Sequence, residues 1–202
     1  MKNLILLALL ASLAACNKEI TVTTPDAVIT QNTGNTTPEF IKYTILQGQQ
    51  YCDKSTYVAT NYSELSFAVI FDSSAIYKTI DSTNQYDINK LFGFSDNNAD
   101  HHQFSARFGW RWSDDSLRLF GYTYNNGLRD SKELGTVQIG QSNNCSIKVS
   151  AQQYIFSLNG HIDSLIREST TPTAVGYKLF PYFGGNELAP HQVTIWIKEL
   201  NK

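Results

Sequence analysis

The sequence predicts an all-β domain, a sandwich or barrel of antiparallel strands, and three observations carry that expectation. Charged residues are 17% of the 202-residue chain, below the roughly 25% usual for soluble domains, which argues against long solvated helices. Aromatic residues are 12%, with 11 Tyr and 11 Phe against a single Met, and with abundant Thr, Val and Ile they suit a pleated, half-buried surface. Seven segments alternate with period two: Leu65–Phe71, Phe104–Trp112, Leu117–Tyr124, Cys145–Ser150, Tyr154–Leu158, Tyr177–Phe183 and Val193–Ile197. Asp114-Asp115, Asn126-Gly127 and Asn159-Gly160 suit tight hairpin turns between them. Helix signals are sparse, Asp87 ahead of Ile88–Phe92 capping at most one short turn. A net charge of −2 and a pI near 6.1 leave no basic footprint, so no nucleic-acid partner is expected.

At the N-terminus, Lys2 precedes an apolar run from Leu4 to Leu13 broken only by Ser12. The run is too short to span a bilayer and has the length of a signal-peptide core. It ends in Leu13-Ala14-Ala15-Cys16, which resembles the lipobox of bacterial lipoproteins. That resemblance implies a signal peptide over residues 1–15, a lipid on Cys16, a membrane partner and a place in the bacterial cell envelope, with the outer membrane expected. An ordinary cleaved signal peptide is the competing reading. Cleavage would remove one lysine, leaving 15 basic and 18 acidic residues and a formal charge of −3. Residues 16–39, with seven threonines, Pro25, Pro38 and Gly34, are expected to form a flexible tether. Residues 40–202 then form the β domain, with no second linker or internal repeat. Cys52 and Cys145 remain in a disulfide-permissive compartment; a bond between them is the favoured expectation, and two separate buried thiols the alternative.

The most informative segment is Ser105–Tyr124. A two-residue turn at Asp114-Asp115 makes paired positions sum to 229, so Trp112 faces Leu117 and Trp110 faces Leu119. Phe108, Trp110, Trp112, Leu117 and Leu119 then share one face, a core face. The opposite face pairs Arg107 with Tyr122, Gly109 with Phe120, Arg111 with Arg118, and Ser105 with Tyr124. His101 and Gln103 join it if the strand starts early. Aromatic rings can cover the apolar faces of sugars, and arginines donate forked hydrogen bonds to hydroxyls or carboxylates. Arg107, Arg111, Arg118, Phe120, Tyr122, Tyr124 and Gln103 are therefore the candidate ligand-binding residues. A solvated outer face, with Arg stems lying over Tyr and Phe rings, explains the same pattern without a ligand.

Three stretches then resemble a known family: Arg107-Phe-Gly-Trp-Arg-Trp112, Tyr154-Ile-Phe-Ser-Leu-Asn-Gly160, and Gly176-Tyr-Lys-Leu-Phe-Pro-Tyr-Phe-Gly-Gly185 with Ala189-Pro-His191 and Thr194-Ile-Trp-Ile197. Over about residues 60–198 they look like concanavalin A-like jelly-roll sandwiches, of laminin-G-like and alginate-lyase-like flavour. The resemblance implies two antiparallel sheets with a concave glycan-holding face.

The sandwich-glycosidase signature Glu-x-Asp-x-Glu is missing, since none of the seven Glu stands in such a strand. A polysaccharide lyase acting on uronate glycans needs a neutraliser for the carboxylate, a base and an acid. Arg107, His101 and either Tyr182 or Tyr122 fill those roles, although the order His101-His102-Gln103 departs from the family's Gln-x-His strand. Asp96, Asn98 and Asp100 match the first oxygen positions of a calcium loop, but His101 stands where its Gly belongs and Arg107 where its Glu belongs. A structural calcium is thus a minor expectation; no other cofactor is expected. On a strand, adjacent His101 and His102 would point to opposite faces, so no metal site is expected there. The functional expectation is an envelope lipoprotein whose β-sandwich binds a glycan or surface ligand without catalysis. The alternatives are a uronate-directed lyase and a structural or adhesion protein with no small-ligand site.

Overall fold

A computed structural model describes residues 39–200. The lipobox with Cys16, the signal segment and nearly all of the tether lie outside the described residues. Twelve strands, numbered in chain order, form two six-stranded antiparallel sheets. The first sheet runs β1 (Ile41–Ile45), β12 (Val193–Glu199), β3 (Glu64–Phe71), β8 (Ser142–Val149), β9 (Gln153–Leu158), β10 (His161–Ile166). The second runs β2 (Ala59–Tyr62), β11 (Ala174–Leu179), β4 (Asn89–Ser95), β5 (Phe104–Ser113), β6 (Ser116–Asn125), β7 (Leu128–Val137). The fold is the two-sheet jelly-roll sandwich that the sequence predicts. Among the described residues no helix is long and apolar enough to cross a membrane.

The hairpin chemistry explains the local order. Asp114 and Asp115 both sit at φ 52°, and Asn126 (φ 49°) precedes Gly127 (φ 80°). Left-handed pairs of this kind make turns whose twist matches the flanking strands, and short polar residues and glycine tolerate that region best. The β5–β6 register follows directly: Ser105 pairs with Tyr124, Arg107 with Tyr122, Trp110 with Leu119 and Trp112 with Leu117. Alternation then sends Phe108 and Trp110 inward. Phe108 meets Phe67 of β3 edge-on at 5.5 Å and Phe156 of β9 at 5.5 Å, while Trp110 lies 5.5 Å from Phe71. Ring pairs of this geometry add roughly 0.5–1.5 kcal/mol each beyond their burial.

Several expectations are corrected. Asp87 does not start a helical turn: it closes the 3-10 turn Ser82–Tyr86, and Asn89–Ser95 is β4. The run at Tyr177–Phe183 leaves the sheet after Leu179, and Tyr182 makes only isolated bridges to Tyr51 and Lys90. Cys52 and Cys145 are free, buried thiols. Cys52 bridges Ile45 of β1, whereas Cys145 is on β8, three places along the sheet. At about 4.8 Å per strand the separation is roughly 14 Å or more, beyond disulfide reach.

One polar knot sits between the sheets. The Arg167 guanidinium meets Asp96 at 2.8 Å, with both side chains almost wholly buried. Tyr154 donates to the same Asp96 oxygen at 2.7 Å, and Thr171 donates to the other at 3.1 Å. Arg167 also donates to the carbonyls of Ser150 and Thr171. The carboxylate offered as first calcium ligand is thus turned inward and taken up by Arg167. Removing one member of such a pair strands a buried charge, at a cost of about 3–5 kcal/mol. Arg167→Leu should therefore lower the urea-unfolding free energy by about 3–5 kcal/mol; a loss under about 1 kcal/mol would show that the knot holds little.

Candidate functional site

The outward face of the second sheet carries a cleft of about 610 Å³. Its floor comes from alternate residues on adjacent strands: Lys90 on β4, Arg107 on β5, Tyr122 and Tyr124 on β6, Arg129 and Ser131 on β7, and Tyr177 on β11. The segment between β1 and β2 contributes Tyr51 and Tyr57, and Tyr86 and Tyr182 complete the rim. Tyr51, Tyr57 and Tyr86 are 69%, 78% and 56% exposed, so these side chains stand toward solvent rather than in the core. Tyr51 meets Tyr182 at 4.9 Å and Tyr57 meets Tyr177 at 5.7 Å.

A break in β4 shapes the floor. Lys90 pairs with Gly109 and Gly93 with Arg107, so Leu91 and Phe92 together oppose Phe108. This bulge buries two consecutive apolar side chains and still turns both Lys90 and position 93 outward. Position 93 must be glycine: a Cβ there would lie 2.2 Å from the Ala106 carbonyl oxygen and 2.3 Å from Arg107 Cβ. The missing side chain lets the β5 backbone at Ala106 and Arg107 pack directly against β4.

Arg107 is 6% exposed, and its Nε has no hydrogen-bond partner. Among the described residues no carboxylate lies within ion-pair distance of it; its neighbour is the Tyr122 ring, 5.5 Å from Cζ. Burial pushes the guanidinium down to about 10, with the surrounding tyrosines pulling the other way. The Lys90 Nζ lies 4.4 Å over the same ring and donates to the Ile88 carbonyl. Burial first, then repulsion from Arg107 and Arg129, pushes Lys90 down to about 7 against the opposing pull of Asp87. Asp87 is the one carboxylate among the residues lining the cleft, and it accepts from the Asn186 backbone N–H at 3.2 Å. Two basic groups therefore flank one ring, and among the described residues neither is in ion-pair contact with a carboxylate.

His101 and His102 reach the cleft from a turn, not from a strand: β5 begins at Phe104. Their rings lie 4.1 Å apart instead of on opposite faces, which corrects the strand-based expectation. Tyr177 accepts from the His101 backbone N–H at 3.1 Å, and its hydroxyl stands 2.8 Å from His101 Nδ1 and 3.3 Å from Asp100 Oδ2. Burial, with help from Arg107 and His102, pushes His101 down to about 4. Near neutrality its 3.7 Å approach to Asp100 is thus a contact of a neutral imidazole rather than an ion pair. Burial raises Tyr122 to about 12 and raises Tyr177 and Tyr182 as well, so these phenols stay protonated.

Of the seven candidate binding residues, the cleft gathers Arg107, Tyr122 and Tyr124. Arg111 instead straps Tyr86 and Phe120, its Cζ 5.3 and 4.8 Å from their rings, and Phe120 is buried beneath it. Arg118 is neutralised by Glu133 at 2.8 Å and Asp114 at 3.4 Å. Gln103 is exposed in the turn before β5, its carbonyl accepting from Gly127 N–H. The four candidate lyase residues His101, Arg107, Tyr122 and Tyr182 all line the cleft. Sequence reasoning missed Lys90, Arg129, Tyr177, Tyr51 and Tyr57. For Arg129 the signal was present: a two-residue turn at Asn126-Gly127 places Arg129 opposite Tyr124, as observed.

No protein-family model matches the sequence, and neither does any curated protein. The likeness lies in the fold. The domain superposes on the alginate lyase AlyC3 with a TM-score of 0.51 at 9% identity, over 81% of this chain and 76% of that one. It superposes on the catalytic domain of an endo-1,3-β-glucanase (laminarinase) from Thermotoga petrophila with a TM-score of 0.52 at 10% identity, over 81% and 77%. The laminarinase catalytic domain from Thermotoga maritima gives 0.51 at 9% identity, over 83% and 81%. The chain shares its jelly-roll fold with carbohydrate-active enzymes.

Two measurements check the cleft's charge balance. Arg107→Met should stabilise the free protein by about 1–3 kcal/mol, since it removes an uncompensated buried charge; destabilisation would mean that the guanidinium has a structural partner. Lys90 titrates lower in the folded than in the unfolded chain, so between about pH 7 and 10.5 the unfolded state binds more protons and stability rises with pH. Lys90→Met should therefore raise the melting temperature most near pH 6 and progressively less toward pH 10. A pH-independent gain would place Lys90 at its ordinary value.

Proposed function

We propose that the cleft binds an anionic glycan, with a carboxylate of the uronate type seated on Arg107. The observation that carries this reading is the unpartnered Arg107 guanidinium, buried at the floor of an open cleft. A buried cation without an acceptor is costly in the free protein, and a planar carboxylate meets its forked donors. Lys90 and Arg129 extend the positive floor, while the exposed rings of Tyr51, Tyr57 and Tyr86 offer stacking surfaces to the apolar faces of sugar rings. A purely structural spacer would have no use for such a charge. The Leu13-Ala14-Ala15-Cys16 sequence supports a further part of the reading, that a lipid on Cys16 tethers the domain to the bacterial envelope, with the outer membrane as the proposed site.

Elimination chemistry is the second reading, favoured by the convergence of His101, Arg107, Tyr122 and Tyr182 on one cleft. Arg107 would neutralise the carboxylate and so acidify the proton beside it. Lys90, lowered to about 7, and the neutral His101 are the groups able to take that proton. A protonated phenol, Tyr122 or Tyr182, would donate to the departing glycosidic oxygen.

Calorimetric titration of the protein with alginate or polygalacturonate fragments, and with neutral β-glucan fragments of equal length, tests the binding reading. The uronates should bind more tightly, and Arg107→Met should weaken them about 10–100-fold, the worth of one charge-assisted pair. Equal affinity for the neutral glucan, or uronate binding indifferent to Arg107→Met, would overturn it. Growth of ultraviolet absorbance from unsaturated uronate ends assigns the lyase; binding without that absorbance assigns a non-catalytic module.

A further inference from the structure

We propose that Asp100, His101 and His102 form a binding site for a divalent transition-metal ion of the zinc, nickel and copper class at the mouth of the cleft. One ligand atom from each residue lies within 4.8 Å of the others. Zinc takes imidazole nitrogen at about 2.0–2.1 Å and carboxylate oxygen at about 2.0–2.2 Å, which puts ligand atoms roughly 3.4 Å apart in a tetrahedral set. Closing from the observed spacing needs side-chain rotation; the His102 and Asp100 side chains, 63% and 60% exposed, have room for it, with Asp100 giving up its 3.3 Å contact with the Tyr177 hydroxyl.

The backbone beneath is already held in place. The Asp100 carbonyl accepts from Gln103 N–H at 2.8 Å and from Phe104 N–H at 3.0 Å, folding the turn back on itself. Its carboxylate accepts from His102 N–H at 2.8 Å. Upstream, Asn98 N–H donates to the Val175 carbonyl at 2.8 Å, tying the same loop to β11. A turn anchored at both ends loses little freedom when a metal binds. Two imidazoles with one carboxylate suit zinc, nickel or copper better than calcium or magnesium, which prefer all-oxygen shells. His101 would ligate through Nε2, since its Nδ1 is held 2.8 Å from the Tyr177 hydroxyl, the outer partner that would orient the ring. Three protein ligands leave a coordination position open, and both histidines line the cleft, so a water or an anionic ligand can fill that position. The charge on Arg107 opposes a cation here, so binding is expected to be weaker than at a closed structural zinc site. Metal on His101 would also leave Lys90 as the proton acceptor of the cleft.

Zinc chloride titrated into the metal-stripped full-length chain, with no glycan present, should bind at one ion per chain. Asp100→Asn and His102→Ala should each weaken it at least tenfold; without zinc the His102→Ala melting curve stays unchanged because that side chain is exposed, whereas Asp100→Asn gives up a charged acceptor for His102 N–H and melts slightly earlier. Cobalt(II) should give visible absorption bands that both variants lose. Absence of zinc binding, or binding that survives both substitutions, overturns the proposal. With no glycan in the titration, its failure is separate from failure of the glycan reading, and His161 and His191, the remaining histidines of the chain, serve as controls through His161→Ala and His191→Ala.

Discussion

The buried pair between Arg167 and Asp96 holds together the parts on which the cleft is built. Arg167 follows the last strand of the first sheet's meander, where the chain crosses toward the second sheet, and Asp96 follows β4 in that second sheet. Tyr154 of β9 closes the same knot from the facing sheet. The residues leaving Asp96 make the turn that carries Asp100, His101 and His102 to the mouth of the cleft. Charges are expensive inside a protein unless their hydrogen-bonding capacity is met, and here it is met several times over, by a carboxylate, two hydroxyls and backbone carbonyls. The price of burying this arginine is thus recovered locally as order in a loop with no regular structure of its own.

Arg107 is the counter-case. It is buried to a similar degree, yet it looks across an aromatic floor with nothing to accept its protons. Three arginines on β5 and β6 share a face, and their partners separate them. Arg118 has Glu133 and Asp114, Arg111 lies between two rings, and Arg107 has only the Tyr122 face. What separates the three lies in the residues within reach, not in the strand that carries each. The likeness to an alginate lyase and to laminarinases is one of fold; the unbalanced charge of Arg107 is a property of this cleft.

The hairpin that carries the floor was legible because its turn chemistry and its alternation agree. Asp114-Asp115 sets one register, and every pair from Ser105–Tyr124 to Trp112–Leu117 follows from it. The same reasoning at Asn126-Gly127 reaches Arg129 and Ser131. Lys90 was out of reach for a specific reason: its strand is joined to β5 by a long loop rather than a tight turn that sets the register, and two consecutive buried residues, Leu91 and Phe92, disguise the alternation. The histidine pair was misplaced because the strand period was carried back past Phe104 into a turn, where adjacent side chains are not opposed. Free Cys52 and Cys145 show the limit of counting, since strand order rather than loop length decides which side chains can meet.

The extra residue in β4 makes the site a matter of phase. Ahead of it the strand presents Lys90 to the cleft; behind it Gly93 lies under Arg107. Loss of a single residue at the bulge would shift one half of the strand against the other, exchanging charged and apolar faces with no change in composition. A chain that keeps every cleft residue but differs in length by one at this point would share the fold and lose the pairing of Lys90 and Arg107 on one face, so their spacing marks the cleft more sharply than either residue alone.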